Sequence, residues 1–89
     1  MKRIGVIGAV LEQPLQSQAA FNQTVAAYRN IIKGRMGIPF DHEEVSVVSL
    51  TVMGELDDIN ALTGKLGNIP QVTVKTAISG ELKGAEHGK

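Results

Sequence analysis

Cysteine is absent from this chain. No disulfide, thiolate zinc site, cysteine nucleophile or cysteine-held iron–sulfur cluster can form within it. An excess of one charge is absent too: nine Lys and Arg offset nine Asp and Glu, so the formal net charge is zero. Nucleic-acid-binding modules carry a basic excess. The balance therefore argues against sequence-specific nucleic-acid binding by the isolated chain and allows at most weak, strongly salt-dependent association. Histidine is scarce, with only His42 and His87. One sits beside acids in a turn-like stretch and the other near the end, so no tightly bound transition metal and no cofactor is expected. No apolar run approaches the length of a membrane span. The basic start Met1-Lys2-Arg3 is followed by Gly5 and Gly8, which interrupt the run behind it, and no cleavage site follows. The expectation is a cytoplasmic protein with no membrane partner.

Two nucleotide-binding patterns also fail. A G-x-G-x-x-G motif anchored at Gly5 would need glycine at Ile7 and Val10. Gly64-Lys65 is no P-loop, because Leu66 replaces the Ser or Thr and Ile59 stands at the upstream glycine position.

What is present is one small domain. A chain of 89 residues buries only about 63% of its unfolded surface, enough for a single thin core that oligomerisation would reinforce. Residues 1–79 read as the domain. Residues 80–89 turn to glycine and charge, with Leu82 the only large apolar side chain, and read as a tail. The longest β-forming run, Glu44 to Met53, reads as a central strand. Val48, Leu50 and Val52 make one apolar face; Val45, Val47, Ser49, Thr51 and Met53 make the other. Arg3 to Leu11 reads as a first strand, with Ile4, Val6, Gly8 and Val10 on one face and Gly5, Ile7 and Ala9 on the other. Pro14 suits a first helical turn, and Gln16 to Arg29 reads as a helix. Its stripe is Phe21, Val25 and Tyr28, with Ala20 and Thr24 beside it. Ile31 to Gly37 reads as a second strand, with Ile32, Gly34 and Met36 on one face and Ile31, Lys33 and Arg35 on the other. A loop from Ile38 to Glu43 would follow. A second helix starts near Asp57 and Asp58, buries Ile59, Leu62, Thr63 and Leu66, and stops at Gly67. Asn68 to Gln71 turns the chain into a last strand, Val72 to Ile78.

The order β-α-β-β-α-β predicts an α+β, ferredoxin-like or ACT-like fold: a four-stranded antiparallel sheet with two helices on one face. The first strand and the Glu44–Met53 strand would hold the centre.

Several segments resemble one family. Arg3-Ile4-Gly5-Val6-Ile7-Gly8, Ile32-Lys33-Gly34-Arg35-Met36-Gly37-Ile38-Pro39-Phe40 and Val47-Val48-Ser49-Leu50 are similar to the iron-only hydrogenase system regulators. So is Ala61-Leu62-Thr63-Gly64-Lys65-Leu66-Gly67-Asn68-Ile69-Pro70, followed by Val72-Thr73-Val74-Lys75. The likeness runs from about Lys2 to Ile78; its two glycine-containing segments are fairly specific, and Gly34, Arg35, Met36, Gly37 and Pro39 form the family motif. It implies an ACT-like regulator, similar to the C-terminal sensor domain of the nickel-responsive repressor. It does not bring a nickel site, which needs several histidines and a cysteine.

Two functions are weighed on these grounds. The first is a non-enzymatic, homo-oligomeric sensor binding a small effector or a protein partner at a subunit interface. Leu11, Glu12 and Gln13 in the first strand–helix loop and Gly64 and Asn68 on the second helix are the candidate ligand positions. The second is a small ferredoxin-fold enzyme of the acylphosphatase kind. It is disfavoured because the loop after the first strand is acidic and lacks arginine, and no nucleophile–base pair is visible. With helices on one sheet face only, the other is expected to present Gly5, Ile7 and Ala9 beside Val45, Val47, Ser49, Thr51 and Met53. Ile31 and Ala77 would flank them, and Lys33, Arg35, Thr73 and Lys75 would rim them. That surface predicts a homodimer or homotetramer.

Overall fold

The computed structural model of the chain describes residues 2–82. His87 and most of the expected 80–89 tail lie outside them. The elements follow the expected order: β1 (Lys2–Glu12), α1 (Pro14–Ala27), β2 (Ile32–Phe40), β3 (Val45–Glu55), α2 (Leu56–Gly67) and β4 (Val72–Ile78). The sheet is antiparallel throughout with strand order β2-β3-β1-β4. This is the ferredoxin-like α+β arrangement, with β1 and β3 at its centre. No helix among the described residues is long and apolar enough to cross a membrane.

Several boundaries differ from the sequence reading for local reasons. α1 starts and ends two residues earlier than expected. Proline occupies its first turn, where the missing N–H is harmless, and Tyr28 leaves helical geometry at φ −115°. β2 runs on through Ile38, Pro39 and Phe40, shrinking the expected loop to the turn 41–44. An edge strand tolerates proline because one side of it has no ladder partner.

The faces are set by register. Ile7 pairs with Leu50, Ala9 with Val48 and Gly5 with Val52. Residues directly opposite share a face, so Gly5, Ile7, Ala9 and Leu11 join Val48, Leu50 and Val52 beneath the helices. All seven are buried. The expected placement of Gly5, Ile7 and Ala9 on the open face is therefore wrong. Ile4, Val6, Gly8 and Val10 stand there instead.

β2 holds a second correction. A bulge at Lys33 shifts the register, so that Ile32 pairs with Val52 and Gly34 with Thr51. One extra residue reverses the alternation. Ile32 thus packs against the core, whereas Gly34, Met36, Ile38 and Phe40 share the open face with Thr51, Ser49, Val47 and Val45. Arg35, Gly37 and Pro39 lie on the helix side. Ile31, expected on the open face, is buried, and its carbonyl accepts a 2.8 Å hydrogen bond from Met53 N–H.

The core is Ile7, Ala9 and Leu11 with Val48, Leu50 and Val52. It is roofed by Phe21 and Val25 of α1 and by Ile59, Leu62 and Leu66 of α2, and Ile31 and Val72 complete it. Ala20, expected beside the α1 stripe, is exposed. Ser17 is the buried polar residue among those described. Its hydroxyl donates to Glu12 O at 3.2 Å, which satisfies it. Thr63 and Thr76 hydroxyls meet at 2.9 Å and tie α2 to β4.

Gly54 is buried directly against Ile31: a Cβ at this position would sit 2.7 Å from Ile31 Cγ2. Overpacking a closed site costs about 1–3 kcal/mol. Gly54→Ala is expected to lower stability by about that amount in urea unfolding. Gly34→Ala, where nothing lies within 4 Å, is expected to leave the midpoint nearly unchanged.

Candidate functional site

Three connections meet at one end of the sheet: Gln13 between β1 and α1, residues 41–44 between β2 and β3, and residues 68–71 between α2 and β4. Two backbone hydrogen bonds join them. Glu12 N–H donates to Gln71 O at 2.8 Å and Gln13 N–H to Glu44 O at 3.0 Å. Among the described residues, the non-glycine positions with positive φ are Gln13 (49°), Glu44 (56°) and Gln71 (71°). All three stand at this junction. Left-handed backbone costs an L residue roughly 1–2 kcal/mol. Three such residues at one end mark a place where the surrounding contacts over-determine the backbone.

Below the junction, α1 packs on β1 and α2 and leaves β2 uncovered, so that every residue of β2 after Ile32 is exposed. A groove opens between α1 and the β2–β3 hairpin in two adjoining clefts. The outer one, about 360 Å³, is lined by Gln13, Pro14, Leu15, Gln16, Pro39, Phe40, Asp41 and Glu44, among others. The inner one, about 290 Å³, has Leu11 and Val48 as apolar lining, with Arg35, Gly37 and Gln18 around them. Gln18, Pro39 and Ser46 belong to both. Sizes near 300 Å³ are at the lower end for small-molecule sites.

The charges are arranged along this groove. Arg35 Nη2 donates to Asn22 Oδ1 at 2.8 Å, and its guanidinium lies 5.7 Å from the centroid of the buried Phe21 ring. Both partners are neutral, so the charge is held in place without being compensated. At the other end stand Asp41 and Glu44, with Glu12 and Glu43 near them around a smaller cleft that also includes His42. Among the described residues, no group of three or more His, Asp or Glu is placed to hold a metal ion.

The sequence candidates separate here. Glu12 and Gln13 are exposed at the junction, and Leu11 is buried but borders the inner cleft. Asn68 caps α2, its N–H donating to Gly64 O at 3.1 Å. It shares its turn with Gln71 but lines neither cleft of the groove. Gly64 is exposed, and no described part of the chain comes within 4 Å of a would-be Cβ there. The motif residues divide by alternation: Arg35, Gly37 and Pro39 line the groove, while Gly34 and Met36 face the open side. Gln18, Asn22 and Ser46 were missed. Polar residues on an exposed helix face or near a strand start give no signal until the groove brings them together.

Residues 3–76 match the family model TM1266-like, described as "Iron-only hydrogenase system regulator, putative". Among solved structures, protein TM1266 from Thermotoga maritima is similar with a TM-score of 0.84 and 31% identity, over 88% of this chain and 98% of that one. SnoaB, a cofactor-independent oxygenase from Streptomyces nogalater, is similar with a TM-score of 0.55 and 12% identity, over 93% of this chain and 96% of that one. At that identity the likeness to SnoaB is one of fold alone. No curated protein sequence matches the chain.

The junction makes a measurable demand on Gln13. A β-branched residue is poorly tolerated at positive φ, so Gln13→Val is expected to destabilise the chain by roughly 1–2 kcal/mol in denaturant unfolding. Gln13→Gly, which is free of the Cβ clash, is expected to stay within about 1 kcal/mol of the parent.

Proposed function

The chain belongs to the TM1266-like family of iron-only hydrogenase system regulators, and on that premise we propose that it is a cytoplasmic, homo-oligomeric sensor. It binds a small effector or a protein partner at a subunit interface and acts on the hydrogenase system through that contact. The observation that carries the oligomer is the open face of the sheet. Ile4 (42% exposed), Val6 (47%), Val10 (38%), Met36 (64%), Ile38 (48%) and Phe40 (44%) all stand on it. The register makes them one surface, since Val10 pairs with Val47 and Val47 with Ile38. Lys2, Glu12, Glu55 and Lys75 lie on the same face at its margins, by the same alternation. An apolar centre with a charged border is the anatomy of a protein interface, and a monomer seldom exposes so much contiguous apolar surface. A two-fold axis through the face would set it against its own copy in a homodimer, or in the dimers of a homotetramer. Neutral net charge supports a route to gene control through a ligand or protein contact, with no direct reading of DNA.

Sedimentation of the purified chain tests this reading. The parent is expected to run as a dimer or tetramer at micromolar concentration. Val6→Lys combined with Val47→Lys buries unpaired charges in such an interface and is expected to give monomer or unfolded chain. Ile7 would be the wrong probe, being fully buried beneath the helices. A monomeric parent, or a folded double variant of unchanged mass, would exclude the assembly.

A further inference from the structure

We propose that the groove between α1 and the β2–β3 hairpin binds a medium-chain monocarboxylate. Its carboxylate lies on the Arg35 guanidinium, and its apolar chain runs past Pro39 towards Leu15 and Phe40. The proposal names a ligand class for the effector half of the function above and rests on that reading, with the effector placed in the groove on the helix side of β2 and not on the open face.

Arg35 is the starting point. A guanidinium has five N–H donors in a rigid fork that matches a carboxylate. Here one donor reaches Asn22 Oδ1 and one face of the fork lies over Phe21. Both contacts reduce the freedom of the side chain, so less entropy is lost when an anion binds. No carboxylate among the described residues pairs with it. The neighbouring amide of Gln18 and hydroxyl of Ser46 likewise have no hydrogen-bond partner among the described residues, and both border the inner cleft.

The lining sets the rest of the ligand. Beyond the arginine the groove offers Leu11 and Val48, and Gly37 keeps it open, with nothing within 4 Å of the place its Cβ would occupy. Further out, Leu15 is 98% exposed on the second residue of α1, and Phe40, at the end of β2 on the open face, also borders the outer cleft. An apolar chain laid along the groove would cover this leucine at its mouth. Asp41 and Glu44 at the same mouth repel a second negative charge. That argues against dicarboxylates, phosphates and nucleotides, and leaves the single anionic group at Arg35.

Titration of octanoate into ¹⁵N-labelled protein, followed by amide chemical shifts, tests the site. Expected are shifts centred on Gln18, Gly37 and Ser46, with weaker binding of butyrate and none of octylamine at those residues. Arg35→Gln, at an exposed position, is expected to weaken octanoate by about tenfold or more, the effect of losing a charge-assisted hydrogen-bond pair. Arg35→Lys, which keeps the charge and loses the fork, falls between. Leu15→Ser is expected to reduce octanoate binding and leave butyrate unchanged. Shifts spread over Ile4, Val6 and Met36 and insensitive to Arg35→Gln, equal competition by octylamine, or no response at millimolar octanoate would each overturn the proposal. Sedimentation reports the assembly separately. A dimer that ignores octanoate removes this ligand and keeps the interface; a monomer that binds it does the reverse.

Discussion

Two helices cannot cover both faces of a four-stranded sheet, and in this chain they do not fully cover one. α2 lies over β1, β3 and β4, and α1 leans on α2 and β1. The hydrophobic core therefore forms over β1 and the inner half of β3, where Ile7, Leu50 and Val52 are fully buried. β2 after Ile32 is left with a partner on one edge, an uncovered open face, and on the helix side the contact of Arg35 with Asn22 and Phe21. The groove, the apolar open face and the exposed motif are consequences of that shortfall. A longer α1, or one tilted towards β2, would close the groove and make the Arg35 side of the motif part of the core.

The hairpin is nevertheless fixed at both ends. At one end Ile31 is buried against Gly54 and receives Met53 N–H. At the other, Glu44 O accepts Gln13 N–H, which attaches the β2–β3 turn to the start of α1. A groove with anchored ends and an uncovered middle keeps its shape without a roof. The left-handed residues at Gln13, Glu44 and Gln71 show where local preference yields to this closure. None of the three is glycine, so the strain comes with a side chain at each site, and two of those side chains, Gln13 and Glu44, line the outer cleft.

Element order, strand order and β4 were legible because each rests on strong periodicity or a clear stop signal. The face of β1 was not legible. Its two alternating sets, Ile4-Val6-Val10 and Ile7-Ala9-Leu11, are both apolar, so hydropathy does not choose between them. What decides is the pairing of Ile7 with Leu50, a long-range register invisible in local pattern. Counting small residues pointed the wrong way: Gly5 and Ala9 lie under the chain's own helices, and at Gly5 a would-be Cβ is crowded by its strand neighbours, Ala77 O at 3.2 Å and Val52 Cγ2 at 3.3 Å, with Ile59 Cγ2 of α2 at 3.7 Å. The bulge at Lys33 defeats strict alternation in β2, and Ile38, Pro39 and Phe40 read as loop because edge position is not written in sequence. Of the site, the motif was visible as a unit. Its division into a groove side and an open side needed the register.

The interior also bears on what chemistry is open to this fold. Similar folds occur in an oxygenase and in this family of regulators, so the fold does not choose between catalysis and sensing. The residues do more. Ser17, the buried polar side chain among the described residues, is committed to the Glu12 and Gln13 carbonyls, and the core is otherwise aliphatic with one phenylalanine. No histidine, carboxylate or lysine among the described residues is enclosed there to be tuned towards acid–base work at neutral pH. The groups that can recognise anything stand at the groove, where a guanidinium is held by neutral partners, and on the open face. On the proposed function these are the groups that would make the contact, with selectivity set by shape and a single charge.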